Sequence, residues 1–262
     1  MAQAAAFQNI VITGASSGIG AALAKFYAGP GVTLGLIGRD PARLSAIATE
    51  VRAAGAMAVE GLIDLRDRAA LTAFLTGFDG SHPVDLLIAN AGVLDGRRAD
   101  GAVEDADVAR RVIEINLLGA VDTLHAVLPA MRRRRRGHIV LVSSLAGLAP
   151  LPDAPAYSAS KAGLLSYGRA MRAAMAPENV RVSVVCPGYV TSAMTDIHIG
   201  NHPHKISAEA AARLIGAGID RNKPVIGFPR QLYVLSLISP FFPEFIVRMA
   251  TKDIRFHVEP RG

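Results

Sequence analysis

The sequence is poor in cysteine and in aromatic residues: 262 residues include one cysteine, no tryptophan and 5% aromatics. The single cysteine, Cys186, cannot form an internal disulfide, which excludes a secreted disulfide-rich fold and is compatible with a reducing compartment. We expect Cys186 to be a buried structural residue. Because hydrophobic residues make up 51% of the chain, we expect a core of alanine, valine, leucine and isoleucine in a single domain spanning residues 1–262.

The sequence also shows nothing that resembles a signal peptide and no long uninterrupted apolar run. Residues 1–9 show no basic stretch followed by an apolar one, so a cytoplasmic location is expected. The longest apolar stretch, 232–249, is interrupted by Pro240, Pro243 and Glu244 and falls short of the roughly 20 residues that span a bilayer. Two interpretations stay open for it: packing in the core or on another subunit, and contact with a membrane interface.

Five consecutive arginines at 132–136 contribute to a net charge of +6. Such a run can bind nucleic acid. These arginines follow an apolar helical segment at 117–131 and precede Gly137, where cations offset the helix dipole and glycine favours a C-cap. No aromatic residues are interspersed among them, so we predict a helix end and no nucleic-acid partner.

Short apolar segments typical of β-strands alternate with longer segments of helical periodicity. This alternation favours an α/β fold with a parallel sheet covered by helices on both faces. Ligands of such sheets bind beyond the carboxyl ends of the strands, where functional residues are therefore expected. The predicted strands are 10–13, 32–37, 57–63, 84–89, 138–142, 180–186 and 225–228, and the predicted helices are 19–28, 41–54, 68–78, 108–131, 156–175 and 208–219.

A glycine-rich turn follows the first predicted strand. Residues 13–20 read Thr-Gly-Ala-Ser-Ser-Gly-Ile-Gly and lead directly into a helix. Glycine lets the backbone approach a diphosphate closely, and a helix N-terminus offers free N–H groups and the positive end of the dipole. The turn therefore predicts a dinucleotide site. The predicted contacts are Gly14, Ser16, Ser17, Gly18, Ile19 and Gly20.

The residues at the ends of the next three strands indicate the kind of dinucleotide. An NAD site would place a carboxylate at the end of the second strand, whereas Gly38 leaves space there and Arg39 can bind a 2′-phosphate. We therefore predict NADP(H) rather than NAD(H), the alternative being that Arg39 is an exposed arginine at a helix start. A carboxylate after the third strand could meet the adenine amino group. The further predicted contacts are Asp64, Leu65, Asn90, Ala91 and Gly92.

Ser144, Tyr157 and Lys161 have the spacing of a site that acts on carbonyl groups. On a helix over 155–176, a spacing of four residues brings the Tyr157 phenol and the Lys161 ammonium to one face. A nearby positive charge stabilises a phenolate, so Lys161 is expected to lower the pKa of Tyr157 from its ordinary value of about 10. Ser144 would hold a substrate oxygen. Tyr-x-x-x-Lys pairs are also common on ordinary amphipathic helices.

In this order the motifs resemble the short-chain dehydrogenase/reductase family, in its single-domain branch of about 250 residues. The resemblance covers residues 8–228. It implies a Rossmann-like, doubly wound sheet of seven parallel strands with helices on both faces, and an NADP(H)-dependent oxidoreductase that transfers hydride between nicotinamide and a carbonyl or secondary alcohol. It rests on the turn at 13–20, Asn90-Ala91-Gly92, Asn116, Ser143-Ser144, the Tyr-Ser-Ala-Ser-Lys segment at 157–161 and Pro187-Gly188-Tyr189-Val190-Thr191.

The resemblance implies a role for each matching residue. Tyr157 would be the acid/base, Lys161 would lower its pKa and hold the nicotinamide ribose, and Ser144 would polarise the carbonyl oxygen. Asn116 would bind a water that connects Lys161 to solvent, and Ser143 would support the turn. Nicotinamide contacts are implied for Pro187, Gly188, Val190 and Thr191.

Residues 192–207 match the family's mobile substrate loop. They include His198, His202 and His204, whose spacing could also bind a metal. No metal is predicted, because Tyr157 and Ser144 suffice to activate the substrate oxygen. Candidate walls of the substrate pocket are Tyr189, Met194, Leu148 and Leu151.

The remaining predictions concern partners and an alternative function. The apolar C-terminal segment 229–262 suggests a lipophilic small-molecule substrate, and the resemblance implies a homodimer or homotetramer. The alternative function is a non-catalytic NADP(H)-binding sensor or partner-binding protein on the same fold. An intact Ser144, Tyr157 and Lys161 argue against that alternative.

Overall fold

Seven parallel strands form the central sheet of the computed structural model, which describes residues 7–196, 198–200, 204–243 and 256–258. All seven predicted strands are present, and the predicted Rossmann-like fold is confirmed. The strands are β1 (Asn9–Thr13), β2 (Thr33–Gly38), β3 (Met57–Leu62), β4 (Leu86–Ala89), β5 (Gly137–Val142), β6 (Val180–Pro187), β7 (His198–Gly200), β8 (Val225–Phe228) and β9 (Phe256–Val258). The sheet order is β3-β2-β1-β4-β5-β6-β8, and β7 pairs separately with β9 in an antiparallel ribbon.

Helices cover both faces of this sheet. Side chains alternate between the two faces of a strand, so Ile10 and Ile12 of β1 join one buried cluster while Val11 joins the other. The helices are α1 (Gly18–Tyr27), α2 (Pro41–Ala53), α3 (Arg68–Ser81), α4 (Ala106–Ile113), α5 (Gly119–Arg134), α6 (Pro155–Met175), α7 (Ala193–Asp196), α8 (Ala208–Asp220) and α9 (Arg230–Ile238). Helices α1, α2 and α8 pack on the first face, and α3, α5 and α6 pack on the second.

Local chemistry explains where several helices begin. Pro41 occupies the first turn of α2, where its fixed φ suits the helix and its missing N–H costs nothing. The side chains that accept a backbone N–H at a helix start are Asp40 for α2, Asp67 for α3, Asp105 for α4 and Ser207 for α8. Helix α1 differs, because its N-cap Ser17 makes no such side-chain hydrogen bond.

The predicted helix at 108–131 contains a π-helical turn. Residues Glu114–Leu118 separate α4 from α5, and π turns of this kind often lie at functional sites. The continuous helical stretch Ala106–Arg134 is long and apolar enough to cross a bilayer, but half of its apolar window is buried in the fold. We interpret it as a core helix, because α5 packs against α3 and the sheet.

The arginine run ends α5, but not in the predicted way. The left-handed residue after the helix is Arg135, with φ of 50°, rather than Gly137, which begins β5. Glycine is needed at 137 for space, because a Cβ there would collide with the Met131 side chain. The arginines bind neighbouring parts of the fold: Arg132 pairs with Glu178, Arg134 with Asp79 and Arg136 with Asp85, and Arg135 donates to the Pro177 carbonyl.

Candidate active site

One cavity of about 860 Å³ opens at the carboxyl edge of the sheet. It brings together segments that are up to about 240 residues apart, because parallel strands direct all their following turns to the same edge. Most of the predicted site residues line it. These are Gly14, Ser16, Ser17, Gly18, Ile19, Arg39, Asp64, Leu65, Asn90, Ala91, Gly92, Ser144, Tyr157, Lys161, Pro187, Gly188 and Val190.

The glycine-rich turn has the geometry of a phosphate cradle. Gly14 has φ of 68°, and a Cβ on it would lie 2.8 Å from Ala91 Cα. Only glycine satisfies both the left-handed backbone and the close approach. Since Ser17 does not cap α1 with its side chain, the first N–H groups of the helix remain available to an anion at the positive end of the dipole. This donor set fits a dinucleotide diphosphate.

Two of the predicted coenzyme residues do not line the cavity. A Cβ on Gly20 would collide with the Gly14 carbonyl oxygen, so Gly20 allows α1 to pack closely against the turn. Thr191 lies on the exposed surface, and both its N–H and its hydroxyl donate to the carbonyl of Ile206. These two residues shape the site without facing the cavity.

The end of β2 carries the positive charge that the sequence predicts. A Cβ on Gly38 would lie 3.2 Å from Ser16 Oγ, so glycine keeps this corner open. Arg39 lines the cavity and lies 3.8 Å from the Asp64 carboxylate. That carboxylate binds Arg66 more closely, at 2.7 Å, and the Arg66 guanidinium lowers the pKa of Asp64 to about 2.

A second arginine at this corner was not predicted. Arg43, in the first turn of α2, lines the cavity and pairs with Asp40 at 2.5 Å. Asp40 also accepts the Arg43 backbone N–H as the N-cap of α2. A basic residue in the first turn after Arg39 is the signal that sequence inspection could have used. We call this part of the cavity, with residues 14–19, Arg39 and Arg43, the coenzyme end.

Ser144 and Tyr157 both line the cavity, and their side chains share a hydrogen bond. Ser144 Oγ accepts the Ala146 N–H at 3.1 Å and lies 3.4 Å from the Pro187 carbonyl. Burial raises the pKa of Tyr157, while its hydrogen bond with Ser144 lowers that pKa by a smaller amount. The phenol is therefore protonated at neutral pH. It lies next to the Ser144 hydroxyl, so both groups could hydrogen-bond the same substrate oxygen.

Lys161 is buried beside Tyr157, and the pKa of that tyrosine differs from the one predicted. Its Nζ donates to the Val142 carbonyl at 2.9 Å and lies 5.7 Å from the centroid of the Tyr157 ring. Burial lowers the pKa of Lys161 itself to about 8. The net pKa of Tyr157 is raised, not lowered as predicted, because burial of the phenol outweighs stabilisation of its phenolate by a nearby ammonium.

Two polar residues behind this group hold it in place. Ser143 Oγ donates to the Lys161 carbonyl at 2.7 Å, so Ser143 joins β5 to α6 rather than only supporting a turn. Asn116, in the π-helical turn, is fully buried. Its Oδ1 accepts the Val93 N–H at 2.7 Å, and its Nδ2 donates to the Val93 carbonyl and to Ser160 Oγ. These bonds give its side chain a positioning role, and the water-binding role stays a prediction.

The opposite part of the cavity is mostly apolar and was only partly predicted. Of the candidate walls, Tyr189, Met194 and Leu151 line it, whereas Leu148 packs instead beside Leu145 and Cys186. We call this part the substrate end. Its unpredicted lining residues are Leu94, Asp95, Arg98, Arg111, Leu232, Leu235, Phe242 and Phe256. The last four belong to the apolar C-terminal segment 229–262, from which a lipophilic substrate was predicted, whereas the first four follow no local motif.

The other candidate groups are the histidines of the segment 192–207 and Cys186. Among the described residues, no three histidine, cysteine or acidic side chains are grouped closely enough to hold a metal ion. His202 and the side chain of His198 lie outside the described residues, while His204 is exposed. Cys186 is buried in β6, and burial raises the pKa of its thiol to about 11, consistent with a structural residue.

Known proteins match this chain over most of its length. The family described as short chain dehydrogenase matches residues 8–199. An uncharacterized oxidoreductase of Myxococcus xanthus is 35% identical over 250 residues, which are 95% of this chain and 98% of the relative.

Two solved structures extend the comparison to coenzymes. A Sphingobium yanoikuyae short-chain dehydrogenase in complex with NADPH is 26% identical with a TM-score of 0.79, covering 95% of this chain and 96% of the other. A Mycobacterium paratuberculosis short chain dehydrogenase bound to NAD is 25% identical with a TM-score of 0.73, covering 84% and 94%. Together the comparisons support a nicotinamide-dependent oxidoreductase that acts on CH–OH or C=O groups.

Proposed function

Because the chain belongs to the short-chain dehydrogenase family, we propose that it is an NADP(H)-dependent reductase or dehydrogenase of apolar ketones and secondary alcohols. One observation carries the proposal. Ser144, Tyr157 and Lys161 meet in the same cavity as the glycine-rich phosphate cradle. That cavity joins a proton donor to a dinucleotide site, which is the combination that hydride transfer to a carbonyl requires.

The proton chemistry follows from the protonation states of the three side chains. Tyr157 carries its proton at neutral pH, since an ordinary phenol has a pKa of about 10 and burial raises it further, so it would act as a general acid with its phenolate stabilised by Lys161. The Ser144 hydroxyl next to it would hold the same oxygen by a hydrogen bond. Lys161, with a pKa of about 8, is mostly charged at pH 7 and would stabilise the phenolate that Tyr157 leaves behind. When bound, the nicotinamide coenzyme supplies the hydride for reduction or accepts it for oxidation.

The preference for NADP(H) is supported by charge at the coenzyme end. Arg39 and Arg43 both line the cavity there, and guanidinium groups bind phosphate strongly. Two carboxylates also line this end: Asp64 is bound to Arg66, and Asp40 is already occupied as the α2 cap and as the partner of Arg43. Both are therefore poorly placed to accept a ribose hydroxyl as an NAD-binding carboxylate would.

The apolar substrate is supported by the lining of the substrate end. Leucine, methionine and aromatic side chains form most of this wall, and a site of this kind excludes water and favours apolar ligands. Its charged residues are largely paired with each other: Arg98 and Arg111 both bind the buried carboxylate of Asp95, at 2.9 and 2.7 Å. Shape and apolar contact would then select the substrate more than charge would.

The experiment is a screen of ketones, aldehydes and secondary alcohols, followed by the absorbance of NADPH. Tyr157→Phe removes only the hydroxyl, so it should bind NADPH normally and lose turnover roughly 10²- to 10⁴-fold. Tyr167→Phe is the matched control, because Tyr167 lies on the same helix but bonds to His125 outside the cavity. Full turnover in Tyr157→Phe, or no turnover of any compound by the wild type, would contradict the proposal.

A further inference from the structure

The C-terminal strand β9 places an aromatic side chain beside the catalytic tyrosine. Phe256 is 5% exposed and lines the cavity at its substrate end. Its ring belongs to a small apolar cluster with Ala154, Leu94, Leu151 and Tyr157. A residue about one hundred positions after Tyr157 in the sequence thus forms part of the cavity wall in the cluster that includes Tyr157.

A buried carboxylate fixes the backbone of Phe256. Asp153 is 1% exposed, and its Oδ2 accepts the Phe256 N–H at 3.1 Å. Its Oδ1 pairs with Arg97 Nε at 3.0 Å, and its backbone carbonyl accepts the Arg97 N–H at 2.7 Å. Burying a carboxylate is costly unless it is paired and hydrogen-bonded. Because these bonds meet that requirement, Asp153 can hold Phe256 in one position.

The pairing of β9 with β7 fixes the same strand from its other side. Phe256 lies opposite Gly200 in this antiparallel ribbon, and β7 belongs to the segment 192–207 that follows β6. The strand is therefore held by Asp153, which precedes α6, and by the loop after β6. Phe256 is more firmly positioned than an exposed phenylalanine such as Phe241, which is 87% exposed.

We propose that Phe256 closes an apolar subsite, formed with Leu94, Leu151 and the ring of Tyr157, that accepts one apolar substituent of the carbonyl carbon. This inference rests on the proposed function. The substrates it favours are ketones with one small aliphatic or flat aromatic substituent on that side. Phe256 limits the size of the substituent, because its ring occupies the volume that a bulkier group would need.

The test compares the binding of a small and a bulky ketone by isothermal titration calorimetry. The small ketone is acetophenone, and the bulky one is tert-butyl phenyl ketone, in which a tert-butyl group replaces the methyl group. Titrations are carried out on the NADPH-saturated full chain with Tyr157→Phe, so that no turnover is required. Phe256→Ala in this background should shift the affinity ratio towards the bulky ketone by roughly tenfold. Phe241→Ala is the matched control and should leave the ratio unchanged.

Further measurements separate the possible outcomes. Phe256→Leu keeps an apolar side chain of intermediate volume, so it should shift the affinity ratio by an intermediate amount. The Tm of each variant reports whether it folds. An unchanged ratio in Phe256→Ala and Phe256→Leu, or an equal shift in Phe241→Ala, overturns the inference. A wild type that binds ketones but turns none over would contradict the proposed function instead, while the affinity ratio would still decide the role of Phe256.

Discussion

The coenzyme end and the substrate end of the cavity are built in different ways. The coenzyme end consists of short segments that directly follow β1 and β2, with Gly14 and Arg39 only 25 positions apart. The substrate end collects Leu94, Leu151 and Phe256 from segments separated by tens to about one hundred residues. One end is determined by local turn chemistry, and the other by how distant segments pack together.

This difference has a functional consequence. A diphosphate can be bound by backbone N–H groups, which every sequence with the correct turn provides. An apolar substituent is recognised only by the shape of side chains around it. Substitutions at the coenzyme end should therefore change coenzyme binding by large factors, whereas those at the substrate end should change selectivity by smaller ones.

Of the substitutions that compare the two ends, Gly14→Ala should have the largest effect. The new Cβ would lie 2.8 Å from Ala91 Cα, and the left-handed φ of 68° is unfavourable for alanine. Displacement of the turn should weaken NADPH binding roughly 100-fold, since the N–H groups of the cradle would lose their positions. Calorimetric titration with NADPH measures the loss.

Gly77→Ala is the control for that experiment. Gly77 lies within α3 with no atom within 4 Å of the added Cβ, so the substitution should stabilise the fold by about 0.5 to 1 kcal/mol. Its NADPH affinity should equal that of the wild type. Equal NADPH affinity in Gly14→Ala and Gly77→Ala would show that the turn does not hold the coenzyme.

The next effect concerns which coenzyme is bound. Arg39→Asp replaces a guanidinium with a carboxylate at the corner that Gly38 leaves open. A charge-assisted phosphate contact contributes about 1.5 to 3 kcal/mol, so the ratio of NADPH to NADH affinity should fall roughly 10- to 100-fold. Arg133→Asp makes the same charge change on the exposed end of α5 and should leave the ratio unaltered. An unchanged ratio in Arg39→Asp would remove Arg39 from the phosphate site.

What could be predicted from sequence follows the same division. The seven strands and the residues 14–19 were predictable because alternation and glycine spacing are local signals. Phe256 was not, because its position depends on the Asp153 hydrogen bond and on pairing with β7. The pKa of Tyr157 was predicted in the wrong direction, since the sequence gives the neighbouring charge but not the depth of burial.

Lys161 lies between the two ends, and its pKa leads us to expect that kcat/KM depends on pH. Its pKa of about 8 means that it is charged below pH 8 and loses its proton as the pH rises. Under the proposed function, reduction draws on that charge to stabilise the phenolate of Tyr157, so kcat/KM should be constant below about pH 7, fall about twofold by pH 8 and fall roughly fivefold more between pH 8 and 9. Steady-state assays at saturating NADPH measure the profile. A kcat/KM that stays constant to pH 10 would contradict this role of Lys161.

The smallest expected effect is on the KM for an apolar ketone, and it should differ between two leucines of one loop. Leu151 lines the cavity, whereas Leu148 packs beside Leu145 and Cys186 away from it. Each alanine variant should lose about 1 to 2 kcal/mol of stability, because each side chain is partly buried. Only Leu151→Ala should raise KM for an apolar ketone, roughly three- to fivefold, since only this variant removes apolar contact area from the substrate. Urea unfolding and steady-state kinetics provide the two measurements. Equal KM values in the two variants would mean that the substrate does not reach Leu151, and that the substrate end is smaller than the cavity indicates.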